Sequence, residues 1–211
     1  MSHAELDTPE PTPGGDAPAA AARKRPKPGE RRVQILQALA AMLEQPGAER
    51  ITTAALAARL EVSEAALYRH FASKAQMFEG LIEFIEQSVF TLINQITERE
   101  PAGTAQAGRI VAMLIQFAEK NPGMTRVMVG DALVFENERL QQRMNQFFDK
   151  VESSLKQCLR GTGDAATPTV DAQVGASVLT AFIVGRLQRF ARSGFKKVPS
   201  EYLDAALARI L

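Results

Sequence analysis

The residues best equipped for chemistry in this chain crowd into one short stretch, Thr52 to Lys74, where hydroxyls, cations and an imidazole alternate with alanines. Thr52, Thr53 and Ser63 are capping types, Glu64, Tyr68, Arg69, His70 and Lys74 carry hydrogen-bonding heads, and Ala65 and Ala66 carry only a methyl. That mixture suits recognition of a nucleic acid better than turnover of a substrate. Hydroxyls, ammonium groups and helix N-termini bond phosphates, which sets register without reading sequence, and Thr52, Tyr68 and Lys74 are of types that suit that role, although a tyrosine and an alanine pair on a short helix are more often packing residues. Small methyls let a helix backbone approach the floor of the major groove and touch a thymine methyl. Arg69 and His70 are the long donors; either reaches a base edge or a phosphate, and the residues alone leave both open.

Catalysis has no comparable foothold. His70 is the one histidine outside the N-terminal tail, and no Ser/His/Asp, phosphate-loop or metal-ligand spacing occurs. The chain is expected to be no enzyme and to need no cofactor or metal. Cys158, the single cysteine, cannot close an intrachain disulfide and reads as a small packing residue beside Val151 and Leu155.

Those site residues need elements that hold them. Val33, Leu36, Ala40 and Leu43 recur three or four apart, which predicts an amphipathic first helix from Glu30 that ends before Pro46-Gly47. Thr52 or Thr53 caps a short second helix with Leu56 and Leu60 on one face. The pattern breaks at Glu61-Val62, and Ser63 caps a third helix over Glu64 to Phe71 that turns Leu67 and Phe71 inward. Two short helices across a tight turn make a helix-turn-helix. Ser73 caps a long fourth helix to about Arg99, striped by Met77, Leu81, Ile85, Val89, Leu92 and Ile96. Further helices are expected at roughly 105–120, 124–135, 137–160, 170–192 and 199–211, with a loop from Gly161 to Pro168. No stretch alternates like a strand, so the fold class is all-α: a helix-turn-helix domain plus a helical bundle, about nine helices in total.

The 211 residues carry a net charge of only +1, yet its distribution is uneven. Residues 1–22 are acidic, whereas Arg23 to Arg32 holds six basic residues against Glu30 alone. Residues 1–29 hold six of the eleven prolines and no aromatic, too little apolar area to offset chain entropy, and read as a disordered tail with a basic arm. Whether that arm touches DNA or is a solvated tail stays open. No apolar run reaches the roughly 18 residues of a membrane span, Val178 to Val184 being a buried-helix length, and no signal peptide pattern opens the chain. A cytoplasmic, nucleoid-associated protein is expected. The organisation predicted is a tail over 1–29, a DNA-binding domain over 30–75 and a dimerisation and partner-binding domain over 76–211.

The string from Ile51-Thr-Thr through Val62-Ser63, Leu67-Tyr-Arg-His-Phe71 and Ser73-Lys74 resembles the DNA-binding domain of the TetR family. The family usually has glycine where this chain has Glu61, at a turn that calls for left-handed backbone, so Glu61 is expected to cost roughly 1 kcal/mol there. Within the family, further strings resemble its nucleoid occlusion branch: Leu81-Ile-Glu-Phe-Ile-Glu86, Asn121-Pro-Gly123 with Thr125-Arg126, and Phe135-Glu136 with Arg139-Leu-Gln141. What this implies is a homodimer, one or more per site, that binds palindromic double-stranded DNA, engages the division GTPase FtsZ when on DNA, and blocks septation over the chromosome. The positions matching the partner surface are Phe84, Met113, Gln116, Lys120 and Asn121. For the dimer, Val178, Phe182, Gly185 and Leu187 together with Tyr202, Leu203, Leu207, Ile210 and Leu211 exceed what one bundle must bury, with Val178, Phe182, Gly185, Leu203 and Leu207 expected at the interface. The alternative is a repressor released by a small molecule, with Phe117, Met124, Met128, Phe147 and Phe148 either lining a pocket or forming core.

Overall fold

The computed structural model describes residues 29–45, 50–160 and 168–211. The tail, the arm residues Arg23 to Lys27 and the 161–167 loop lie outside the described residues. Among those described, nine α-helices follow one another: α1 (Glu30–Leu43), α2 (Thr53–Arg59), α3 (Glu64–Tyr68), α4 (Lys74–Arg99), α5 (Thr104–Lys120), α6 (Pro122–Met128), α7 (Glu138–Leu159), α8 (Pro168–Arg192) and α9 (Leu203–Ile210). The all-helical class and the helix-turn-helix are as the periodicity predicted. Three boundaries differ. The third helix stops at Tyr68, because the N–H groups of His70 and Phe71 both turn back to the Leu67 carbonyl. The expected 124–135 helix begins at Pro122 and breaks at Gly130, whose φ of 81° is left-handed, leaving one 3-10 turn over Asp131–Leu133. Residues 199–202 precede α9 rather than belong to it.

Ile35, Leu39 and Leu43 of α1 are buried with Leu56, Leu67 and Phe71 beneath the helix-turn-helix, and the same core continues through Phe78, Leu81 and Ile85 of α4. Each such side chain removed from water stabilises the fold by roughly 1.5–3 kcal/mol. α6 docks the helix-turn-helix from the other side, packing on α1 while Arg126 bonds the Leu43 carbonyl (3.4 Å) and Asp131 (3.2 Å).

α4 is tied to the α7 side by three ion pairs: Lys74 with Glu136, Glu79 with Arg139 (2.7 Å), and Glu86 with Arg143. The last is bidentate, at 3.2 and 2.6 Å, and the Glu86 hydrogen bond raises the pKa of the Arg143 guanidinium. α7 in turn packs along α8.

α8 has no unbroken apolar run of span length, yet by length and composition alone Thr169–Arg192 is apolar enough to cross a membrane, its most apolar 18-residue stretch averaging a mean hydropathy of 1.3 with a third of that stretch buried. The apolarity belongs to two faces. Ala176, Leu179, Ile183 and Leu187 enter the core, while Val170, Val174 and Val178 stand exposed four residues apart.

Candidate nucleic-acid interface

α2, α3 and α4 each start on a side-chain cap. Thr52, in extended backbone, accepts a hydrogen bond from the Ala55 N–H at 3.1 Å; Ser63 accepts from Ala66 at 3.3 Å and Ser73 from Gln76 at 3.2 Å. Of the two threonines left open above, Thr52 is the cap. Thr53 instead donates its hydroxyl to Glu64 Oε2 at 2.5 Å, so the last residue before the α2 interior orients the first residue of α3. Such caps are each worth about 1 kcal/mol, which matters for helices of seven and five residues.

The turn between them places Glu61 at φ 54°, the left-handed backbone the glycine pattern calls for. Leu67 and Phe71 are buried, and their burial turns Glu64, Ala65, Tyr68 and Arg69 outward; Ala66 and His70 are half-buried. A cation and a phenol thus flank small residues on one exposed face, the arrangement that permits close approach to a groove. Arg32 of the basic arm is held against this module: its Nη1 donates to the His70 carbonyl at 2.5 Å and its guanidinium stacks 4.1 Å from the Phe71 ring. Lys74, expected on a phosphate, donates to the Glu136 carboxylate, a partner 62 residues away that no local pattern announces.

The residues matching the partner surface divide. Phe84 on α4 is half exposed, at 48%, and Lys120 is exposed at the end of α5. Met113 and Gln116 line a cleft of about 460 Å³ between α4 and α5, which also takes in Leu92, Ile96, Arg99 and Arg109, residues the sequence reading missed. Asn121 is half-buried, and its Nδ2 donates to the Phe117 carbonyl at 2.7 Å, closing α5.

The expected dimer residues divide as well. Val178 and Gly185 are exposed and a Cβ on Gly185 would meet no atom within 4 Å, while Phe182 is half-buried under the Arg186 guanidinium. Leu203 and Leu207 are buried in the protomer's own core and are unavailable to a partner, which corrects their assignment. Val170 and Val174, unassigned from sequence, extend the exposed stripe instead.

The five residues offered for a ligand pocket pack as core. Phe147 and Met128 are buried, Phe117, Met124 and Phe148 pack against them, and Phe90, Phe147 and Phe148 meet edge to face at 5.5 and 5.1 Å. A cleft of about 410 Å³ lies elsewhere, lined by Asn94, Thr97, Gln106 and Gln157, yet the Gln106 amide is already spent on the Thr97 and Glu100 carbonyls. Cys158 is buried there, and burial pushes its thiol pKa up.

A capped helix-turn-helix docked on a helical bundle defines a TetR-type DNA-binding regulator, and residues 35–81 match the family of bacterial regulatory proteins of the tetR type. Residues 104–210 match the SlmA-like, tetracyclin repressor-like C-terminal domain. The nucleoid occlusion factor SlmA of Idiomarina loihiensis is 51% identical over 177 residues, which cover 83% of this chain and 90% of that one. SlmA of Vibrio cholerae is 51% identical, covering 82% and 90%, and that of Escherichia coli O81 is 50% identical, covering 87% and 94%. The chain belongs to this SlmA family of nucleoid occlusion factors. Solved structures share the fold at low identity: the fatty acid degradation regulator FadR of Bacillus halodurans has a TM-score of 0.71 at 12% identity, covering 88% and 97%. A TetR-family regulator from Bordetella parapertussis has 0.67 at 16%, covering 87% and 95%.

Proposed function

We propose that the chain works as a nucleoid-associated homodimer that reads a palindromic DNA site with paired α3 helices and, once on DNA, engages FtsZ at the α4–α5 groove to block septation over the chromosome. The observation that carries this reading is the half-identity to SlmA proteins across both the DNA-binding and the C-terminal regions. In this reading Thr52, Tyr68 and Lys74 bond phosphates, Ser63 fixes the start of α3, and Glu64, Ala65, Ala66, Arg69 and His70 face or border the bases.

The groove chemistry supports the partner assignment. Leu92 and Ile96 of α4 and Met113 and Gln116 of α5 line the cleft together with Arg99, Arg109, Glu100 and Asp204, while Phe84 is 48% exposed on α4 and Lys120 is an exposed cation at the end of α5. Such a groove accepts a partly apolar, acidic peptide, with apolar contacts giving affinity and the cation steering approach. The Val170, Val174, Val178 stripe on α8, continued by Gly185, supports a two-fold contact through that helix.

Chromatin mapping of bound sites tests the role. Sites dispersed over most of the chromosome and sparse near the terminus fit nucleoid occlusion; a handful of promoter sites would instead make the chain a transcriptional repressor.

A further inference from the structure

We infer that Glu136 is a positioning residue for DNA binding: in the free chain it occupies on Lys74 the place that a DNA phosphate takes in the complex, and its displacement couples DNA binding to the segment entering α7. The inference rests on the reading of Lys74 as a phosphate contact.

Lys74 is the first residue of a 26-residue helix, directly behind the Ser73 cap. Its ammonium is partly exposed, lies 5.7 Å from the Phe78 ring and donates to Glu136. The Lys74 ammonium forms a cradle for one anion, and Glu136 fills it. Its side chain is only 9% exposed, and Lys74 is the one side-chain partner of its carboxylate among the described residues. A carboxylate so buried depends on its cation.

A phosphate arriving at the same cradle brings a second anion, and two anions repel each other across a few ångströms of poorly screened space. Once the phosphate holds Lys74, Glu136 is left buried and unpaired, and it regains solvation only by turning outward. The chain around it is built to allow that. Val134 and Phe135 are already 68% and 67% exposed, and Glu136 sits between the 3-10 turn and the first residue of α7. The next two α4–α7 pairs, Glu79 with Arg139 and Glu86 with Arg143, do not face the phosphate and keep α7 anchored. The change is therefore confined to the Val134–Asn137 step.

A double-mutant cycle on the full chain, with a fluorescent duplex, tests this. Glu136→Gln keeps the size of the side chain and removes the competing charge, so it should tighten binding to specific and random duplexes alike, by roughly tenfold. In the Lys74→Ala background the same change should do nothing. Hydrogen exchange supplies a readout that needs no variant: amides of 133–140 should exchange faster in the wild-type DNA complex than in the free chain, and in Glu136→Gln they should exchange fast in both. If Lys74→Ala weakens binding but Glu136→Gln does not strengthen it, or wild-type exchange is untouched by DNA, Lys74 bridges both anions and the inference is overturned while the phosphate contact stands. If Lys74→Ala leaves DNA affinity unchanged, the reading beneath it is overturned.

Discussion

A Cβ added to Gly123 would lie 2.0 Å from the carbonyl oxygen of Ala40, a backbone atom that cannot swing aside. The close approach is what lets α6 lie against α1 and hold the reading module on the bundle. Gly123→Ala should therefore force the two helices apart and cost about 1–3 kcal/mol of stability. Denaturant unfolding measures the loss, and DNA affinity measured well below the transition should fall with it, since the spacing of the paired α3 helices depends on this docking. An unchanged unfolding midpoint would mean that α6 shifts without consequence.

Glu61 offers the opposite experiment. At φ 54° it carries a left-handed strain that glycine lacks. Glu61→Gly should stabilise the chain by about 1 kcal/mol, the relief of strain exceeding the added freedom of the unfolded chain. Thermal unfolding should rise by several degrees, and removing an anion from this face should also tighten binding to random DNA at low salt.

The stripe on α8 makes a prediction about assembly. Val174→Lys and Val178→Glu, singly, should shift the chain toward monomer in sedimentation and weaken binding to a palindromic site far more than to a half-site, because a two-fold protein reads both halves at once. Neither residue is needed for the protomer core, so helical content should stay unchanged. A fully dimeric Val174→Lys, Val178→Glu double variant would place the interface elsewhere.

These cases also show where sequence reading succeeds and where it stops. The caps at Ser63 and Ser73 were legible because each serine closes on an N–H three residues on, and the left-handed turn at Glu61 because the family pattern has glycine there. The Gly130 break carried a local signal, the glycine itself, which the apolar run on either side outweighed. Leu203 and Leu207 were misassigned because a count of apolar residues cannot tell which face of α9 meets its own bundle. Lys74 with Glu136 and Glu86 with Arg143 were invisible, being 62 and 57 residues apart. Leu92 and Arg99 were read only as stripe and helix end, since nothing in a single helix reveals that α5 leaves a cleft beside it.

On the α4–α5 groove, Met113→Glu and a charge reversal at Lys120 should abolish association with FtsZ while leaving DNA affinity within about twofold. Phe84→Ala should weaken it through lost apolar contact alone, with little change in salt dependence. A loss of DNA affinity in parallel would point to a folding defect rather than to a lost docking surface.

The central claim, that occupancy of DNA controls engagement of the division machinery, is tested most directly by titrating purified FtsZ against the full chain in two forms, free and bound to a labelled duplex carrying a site recovered by chromatin mapping. The account predicts association at micromolar FtsZ that is several-fold tighter for the DNA-bound form, with FtsZ tightening DNA binding by the same factor, as linkage requires. Equal binding to both forms, or no association with the DNA complex at micromolar FtsZ, would contradict it.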